Sequence, residues 1–400
     1  MDVTRTLESL LAAALSEPSV VRARHLISSV IQDAKTAIAN GGDHQDLSRI
    51  ACVAYGHLAG ISDDPTGRAR YRALGLGLCS RALKANPTSA ALATTYANAA
   101  VDWFYDSFAT VDADRLRSTL ATARKNCERL LRSEPSTELR VHLLVQSASI
   151  LRCQAKLHHK VGGAELAHKA ERASEAACTE DPASSLARLD RGLSAWAAAR
   201  FAEDEATFVN QVNDAEASLI EAHTMGLPLA TLCLARLSRQ TYRPAQAIVW
   251  FSKYEAREHK RRIVLAESHL VGEAAVLLIH RQVDPEYRKA TLQYADQLLS
   301  EAEQAGYNNA RVLLALARIR TELGDRPGSL VFLHQIARQG STDWTLAVEK
   351  ARHAIEADDL PLLHRAFALG LSDGAVWNSL GTFAKEVLDD TAFADRKSVV

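Results

Sequence analysis

One short register recurs along the sequence and constrains the fold more than any other feature. Its first copy lies in residues 75–87, GLGLCSRALKANP, where small or apolar residues at steps of four and three are followed five residues later by proline. The copies are Gly75, Cys79, Ala82 and Pro87; Ala123, Cys127, Leu130 and Pro135; Ala170, Ser174, Ala177 and Pro182; Ala215, Leu219, Ala222 and Pro228, one residue longer; and Ala295, Leu299, Ala302 and Gly306, which ends in glycine. Steps of four and three place the first three residues of each copy on one helical face, and proline cannot continue a helix. The register therefore predicts an array of helical repeats.

The intervals between copies are long enough for two helices each. The four prolines lie 48, 47 and 46 residues apart, which allows two helices of about twenty residues and their turns. Apolar residues at helical spacing also predict helices at 1–16, 19–40 and about 45–59. Shorter or longer pairs follow at 229–260, 261–306 and 309–340, and 342–390 continues helical. Sustained period-two alternation is missing, so the fold class is predicted as all-α.

Residues 310–341 carry the spacing of a known repeat. Counted from Ala310, Ala317 is eighth, Gly324 fifteenth and Ser329 twentieth. This pattern resembles the tetratricopeptide repeat, a helix pair of 34 residues, and AIVWFSKYEA and AEQAGYNNA are similar to Sel1-like repeats. The resemblance covers residues 45–385 in degenerate form and implies a right-handed α-solenoid of antiparallel helix pairs. We expect an N-terminal helical cap at 1–60, repeats at 61–341, and C-terminal helical repeats, a cap and a short frayed tail at 342–400.

Charge and hydropathy exclude several classes of protein. The formal net charge is −1 and the sequence pI is about 6.9, which argues against a general nucleic-acid coat or a polybasic membrane binder. The first sixteen residues lack the basic start of a signal peptide, and no stretch reaches eighteen apolar residues. We expect a cytoplasmic protein with no membrane contact and no nucleic-acid partner.

Motifs for catalysis or metal binding are missing from the sequence. It has no phosphate-binding loop, dinucleotide fingerprint, HExxH or GxSxG. The six cysteines form no CxxC pair and are expected to be buried thiols. His158, His159 and His168 are interpreted as a solvated helix end rather than a metal site. We therefore expect no enzyme, no cofactor and no metal, with a site assembled from distant residues as the remote alternative.

Two local patches each have two interpretations. In DWFYDSF (102–108), Trp103 and Tyr105 are either helix-pair core or an aromatic recognition patch. The segment REHKRRIV (257–264) is either a solvated connector or a local phosphate contact, through Arg257, Lys260, Arg261 and Arg262.

The resemblance to tetratricopeptide proteins also implies where a partner would bind. In that family the first helix of each pair lines the concave face, and its inward positions contact the partner. The corresponding residues here are Asn98, His142, Gln146, Asp190, Arg236 and Arg239. This set is mixed in charge and lacks the lysine with which the family clamps a peptide carboxylate. We expect these residues to be exposed polar positions in otherwise apolar helices.

The sequence thus predicts a non-enzymatic scaffold or a regulatory or sensor subunit that binds a protein or peptide on its concave face. The alternative is a ligand- or nucleic-acid-responsive regulator that contacts phosphate through 257–262. Neither the partner's identity nor self-association of the chain, which stays an open alternative, follows from the sequence.

Far-ultraviolet circular dichroism tests the fold class directly. We expect a spectrum dominated by helix, because every predicted element has helical periodicity. A substantial β-sheet component would contradict the repeat interpretation.

Overall fold

The computed structural model describes residues 3–338, except 63–64, 108–110, 134, 159, 259 and 280–283. Among these residues no strand forms, and the helices are α1 (Val3–Ser16), α2 (Val20–Ala39), α3 (His44–Gly60), α4 (Pro65–Ala85), α5 (Ala90–Ser107), α6 (Ala113–Leu131), α7 (Thr137–Leu157), α8 (Lys160–Glu180), α9 (Ser185–Ala199), α10 (Glu205–Thr224), α11 (Pro228–Gln240), α12 (Pro244–Arg257), α13 (Arg261–Ala266), α14 (His269–Ile279), α15 (Pro285–Gln304), α16 (Ala310–Glu322) and α17 (Arg326–Arg338). The helices predicted at 342–390 and the frayed tail lie outside the described residues.

Consecutive helices pack as pairs. The most extensive pairings join α3 to α4, α7 to α8, and α9 to α10, and α5 packs on α6. The first helices of successive pairs also touch, α3 with α5, α5 with α7, and α7 with α9. We call these four helices the inner row. Side-by-side first helices backed by their partners form the all-α array of helix pairs that the sequence predicts.

By contacts the chain separates into two compact units. Unit 1 comprises Met1–Thr241 with Val249–Val264, and unit 2 comprises Tyr242–Ile248 with Leu265–Val400. In unit 2, α14 packs on α15 and α16, α15 on α16, and α16 on α17. The domain limits expected at residues 60 and 341 stay a prediction.

The recurring register marks the buried face of the second helix in each pair. All fifteen residues that precede the terminal proline or glycine in the five copies are buried. A small residue at the first position of each copy lets the two helices of a pair approach closely. A Cβ atom at Gly75 would lie 3.1 Å from the carbonyl oxygen of Cys52 on α3, which is tighter than ordinary contact. Larger side chains there would force the paired helices apart.

Glycine, rather than proline, ends the helices of the fourth and fifth copies. Gly226 and Gly306 have φ values of +89° and +97°, a conformation that glycine adopts without steric cost. The next N–H groups, of Leu227 and Tyr307, donate to the carbonyls of Ala222 and Ala302 at 3.2 and 2.9 Å, as in a Schellman motif. The third register residue of these two copies, Ala222 or Ala302, thus accepts the hydrogen bond that caps the helix. Pro228 does not end α10, as the sequence had suggested, but begins α11.

The predicted pair at 261–306 differs from expectation in its first half. Two short helices, α13 and α14, replace a single long one. Between them the N–H groups of Ser268 and Leu270 donate to the carbonyls of Leu265 and Glu267, three residues back, and this tighter turn interrupts the α-helical ladder.

The cysteines are placed as predicted. All six are buried, and Cys79 Sγ donates to the carbonyl of Leu92 at 3.4 Å. No helix in the described part of the chain is long and apolar enough to cross a bilayer.

Charging a buried register position tests this packing. Ala82 and Ala177 are 2% and 0% exposed, so replacing either by lysine would bury an unpaired charge. We expect a loss of about 3 kcal/mol or more in unfolding free energy, or failure to fold.

The matched control is Ala217→Lys, at an exposed position of α10. It should melt close to the unchanged protein. Normal melting of both Ala82→Lys and Ala177→Lys would show that the register is misassigned.

Candidate binding face on the inner helix row

Polar side chains run in stripes along three helices of the inner row. Along α7, the polar residues of the stripe are three or four positions apart, so they lie on a single helical face. The stripes are Asn98, Asp102 and Tyr105 on α5; His142, Gln146, Ser149, Arg152 and Lys156 on α7; and Asp190, Ser194 and the C-cap residue Arg200 on α9. We call these eleven residues the inner polar face.

Hydrogen bonds join the stripes of neighbouring helices. Gln146 Nε2 donates to Asn98 Oδ1 at 2.6 Å and connects α7 to α5. On the other side, the hydroxyl of Ser149 donates to Asp190 Oδ1 at 3.3 Å. Arg152 also donates to Ser194 Oγ at 2.8 Å. These bonds therefore connect the first helices of three successive pairs.

A buried ion pair lies at the centre of this network. Arg152 Nη1 is 2.6 Å from Asp190 Oδ1, and the two side chains are 8% and 3% exposed. Burial raises the pKa of Asp190, and Arg152 and Ser149 oppose that rise by stabilising the carboxylate. The second oxygen, Asp190 Oδ2, is buried with no hydrogen-bond partner. A buried pair of this kind fixes geometry more than it adds stability, because desolvation offsets much of the attraction.

Lys156 and Tyr105 meet at the C-terminal ends of α7 and α5. The ammonium nitrogen of Lys156 is 4.2 Å from the centroid of the Tyr105 ring. Desolvation, with the nearby charges of Arg200 and Arg152, lowers the pKa of Lys156 to about 8. Tyr105 has 54% of its surface exposed, yet desolvation by the surrounding helices raises the pKa of its hydroxyl.

The second helices of the pairs, α4, α6, α8 and α10, form what we call the second row. One arginine from this row reaches the inner polar face. Arg72 belongs to α4, and its guanidinium donates to Asp102 and Asp106 of α5 at 2.8 and 2.9 Å. It passes α3 at Gly56, where a Cβ atom would lie 2.9 Å from Arg72 Nη1. Burial raises the pKa of Asp102, and Arg72 opposes that rise.

His57 of α3 lies near three cationic side chains. Desolvation lowers the pKa of His57 to about 4, and the charges of Arg72, Arg262 and Lys260 add to the effect. The imidazole is therefore neutral at physiological pH and offers hydrogen bonds rather than charge.

The six expected partner contacts fall into two groups. Asn98 is exposed, and His142, Arg236 and Arg239 are half-buried. Gln146 and Asp190 are buried, so the expectation that they are exposed is wrong. The reason is that they bond to the neighbouring first helices and hold the face together. Arg236 and Arg239 lie on α11, whose Cys233 and Leu237 share a core cluster with Leu189 of α9.

The aromatic patch at 102–108 divides between two faces. Residues two apart on a helix point about 200° apart. Accordingly Trp103 is 3% exposed in the core, under the guanidinium of Arg115, whereas Tyr105 lies on the inner polar face. A recognition patch that includes Trp103 is therefore wrong.

The basic segment is only partly a solvated connector. Arg257 donates to the carbonyl of His223 at 2.9 Å, Arg261 pairs with Glu255, and Lys260 is exposed. Arg262 is 7% exposed and donates to the carbonyl of Leu15 at the end of α1, at 3.2 Å. An arginine there complements the C-terminal end of the α1 dipole. A phosphate contact through Arg262 would require breaking this contact inside unit 1.

Ser149, Arg152, Lys156 and Arg200 were missed by sequence reasoning. The resemblance assigned only two inward positions on α7, His142 and Gln146. Continuing the same helical face by steps of three and four from Gln146 would have reached Ser149, Arg152 and Lys156. Arg200 carries no such signal, because it follows the last residue of α9.

In the described residues, no group of three or more His, Cys, Asp or Glu is arranged to hold a metal ion. His168 Nδ1 is 2.7 Å from Glu171 Oε2, a contact within one turn of α8.

Comparisons with known proteins were made at three levels. No protein-family model matches the chain, and no curated protein matches it. Among solved structures, it is similar to PilF of Pseudomonas aeruginosa, at TM-score 0.42 and 17% identity, over 65% of this chain and 99% of that chain. It is also similar to the human IFIT1 dimer with PPP-AAAA, at TM-score 0.30 and 14% identity, over 80% of this chain and 79% of that chain. At this level of similarity, the inner polar face is interpreted from its own residues.

Removing one partner of the buried ion pair tests its role. Arg152→Met would leave Asp190 charged and buried without its partner, and should lower the unfolding free energy by about 3–5 kcal/mol. Urea unfolding followed by circular dichroism measures the change.

The double variant Arg152→Met, Asp190→Leu is the control. It should recover most of the loss, because no uncompensated charge stays buried. Equal losses in the single and double variants would mean that Arg152 stabilises the helices by packing alone.

Proposed function

We propose that this chain is a non-enzymatic scaffold or regulatory subunit that binds an extended segment of a protein partner on the inner polar face. The observation that carries the proposal is the continuity of that face, with polar stripes on α5, α7 and α9 that hydrogen bonds join across three repeats. A solenoid presents successive first helices to one ligand, so contacts can be spread over residues far apart in sequence.

The face contains buried side chains that hold the helices together and exposed side chains that can contact a ligand. This arrangement supports binding rather than catalysis. Buried side chains, Gln146, Arg152 and Asp190, fix the spacing between helices. Exposed or half-buried ones, such as Asn98 and Tyr105, remain available to a partner. A preformed face lowers the entropy that an extended peptide loses on binding, because only the peptide must be ordered.

The mixed character of the face suggests the chemistry of the partner segment. The exposed amide group of Asn98 matches a peptide backbone, which carries a donor and an acceptor in each residue. The arginines on α11, Arg236 and Arg239, match acidic groups further along the segment.

Site-specific crosslinking tests this proposal. A photoreactive amino acid at Asn98 or Tyr105 should trap the same partner in the native cell, identified by mass spectrometry. The matched controls are Leu74 on α4 and Phe208 on α10, which are similarly exposed (43% and 44%) but lie on second-row helices. Equal trapping from all four positions, or trapping only from the controls, would contradict the proposal.

Alanine substitution gives an independent measurement. Replacing Arg236 and Arg239 together should weaken capture of the crosslinked partner by about 1–3 kcal/mol, the range for hydrogen bonds to charged groups. Lys260→Ala with Arg261→Ala should have little effect. Thermal melts of both double variants verify that folding is retained, and the opposite ranking would move the binding surface to the basic connector.

A further inference from the structure

Two cations at one end of the inner polar face have no carboxylate partner among the described residues. They are Lys156, in the last turn of α7, and Arg200, at the C-cap of α9. The other arginines of this face are paired, Arg72 with Asp102 and Asp106, and Arg152 with Asp190. Positive charge therefore accumulates where α5, α7 and α9 end together.

Helix dipoles explain why cations are tolerated at this end of the face. Each helix carries about half a negative charge at its C-terminus, which favours a lysine or arginine there by roughly 0.3–1 kcal/mol. That effect does not neutralise the site. Desolvation is the main cause of the lowered pKa of Lys156, and the positive charges of Arg200 and Arg152 lower it further. A bound anion beside Lys156 would oppose both effects.

The Tyr105 ring fixes the position of the lysine. With its nitrogen 4.2 Å from the ring centroid, the ammonium is attracted to the aromatic face. Tyr105 is more than half exposed, so its surroundings leave space for a ligand beside the ammonium group.

We propose that Lys156 and Arg200, with Tyr105 as the supporting surface, bind one oxyanion carried by an acidic side chain of the partner segment. The inference rests on the proposed function and adds the chemistry of one subsite. A guanidinium binds carboxylate or phosphate through two parallel hydrogen bonds, and an ammonium adds a point charge. The oxyanion is either the carboxylate of Asp or Glu or the phosphate of a phosphorylated residue.

Fluorescence anisotropy of the full chain with labelled peptides tests the subsite. Three Gly-Ser peptides are compared, with four glutamates, four phosphoserines or four glutamines. We expect an acidic peptide to bind and the glutamine peptide not to bind. Preference for glutamate or phosphoserine then distinguishes the two sources of the oxyanion. Failure of both acidic peptides to bind would overturn the subsite.

Matched variants locate the binding. Lys156→Gln and Arg200→Gln should each weaken the acidic peptide about tenfold, as expected for loss of one charge-assisted hydrogen bond. Lys84→Gln and Arg81→Gln remove the same charges from exposed positions of α4 and should leave affinity unchanged. Equal weakening by all four variants would mean that binding follows net charge rather than this site.

A spectroscopic readout separates direct contact from an indirect effect. In protein whose lysines carry ¹³C-methyl labels, the Lys156 signal should titrate at a higher pH once the acidic peptide is bound, because an adjacent anion favours the charged form. No change in that titration would exclude contact with Lys156.

The subsite and the proposed function can fail separately. If Asn98 and Tyr105 crosslink a partner but Lys156→Gln and Arg200→Gln bind the acidic peptide normally, the subsite is wrong and the scaffold stands. If the variants lose the peptide but no inner position traps a partner, the oxyanion site stands and the scaffold is wrong.

Discussion

Close approach of paired helices is the constraint on which the rest of this structure depends. The alanines and the glycine at the first register position are buried, and a Cβ atom at Gly75 would lie 3.1 Å from both the carbonyl oxygen of Cys52 and the Cβ atom of Tyr55 on α3. Small residues let backbones approach and allow the larger residues on either side to interdigitate. First helices also contact one another directly, and Gln146, Arg152 and Asp190 bond across those contacts. The geometry of the inner polar face therefore depends on both kinds of packing.

Packing between neighbouring first helices accounts for the distribution of polar groups on this face. Polar atoms between closely packed helices must find partners or lose stability, and Gln146, Arg152 and Asp190 find theirs on the adjacent first helix. Asp190 Oδ2 alone keeps no partner in this buried cluster of three side chains. At the C-terminal ends of the same helices, Lys156 lies against the Tyr105 ring, and neither Lys156 nor Arg200 has a carboxylate partner among the described residues. The stripe on α7 thus contains both residues that hold the helices together and a residue of the candidate binding site.

Sequence reasoning succeeded for the local part of the site and failed for the part that crosses between helices. The resemblance to tetratricopeptide repeats implied His142 and Gln146, and the helical period continued from Gln146 contains Ser149, Arg152 and Lys156. Arg72 could not be found in this way, because it belongs to a second-row helix and reaches Asp102 only past the missing side chain of Gly56. Arg262 was predicted as solvent-facing, yet it is buried against the end of α1, 247 residues away in sequence.

The sequence by itself determined the helices, their pairing and the buried register, because each follows from local periodicity and from residues that end helices, such as Gly226 and Gly306. Burial of Ala82 and Ala177 follows from the same pattern. Only the tertiary structure decided which polar residues are exposed, since that depends on which neighbour lies opposite. Gln146 and Lys156 share one stripe and one helix, but only Gln146 meets a hydrogen-bond partner on the next helix. That difference, made by packing across repeats, separates the residues that hold the face together from those that are left to bind.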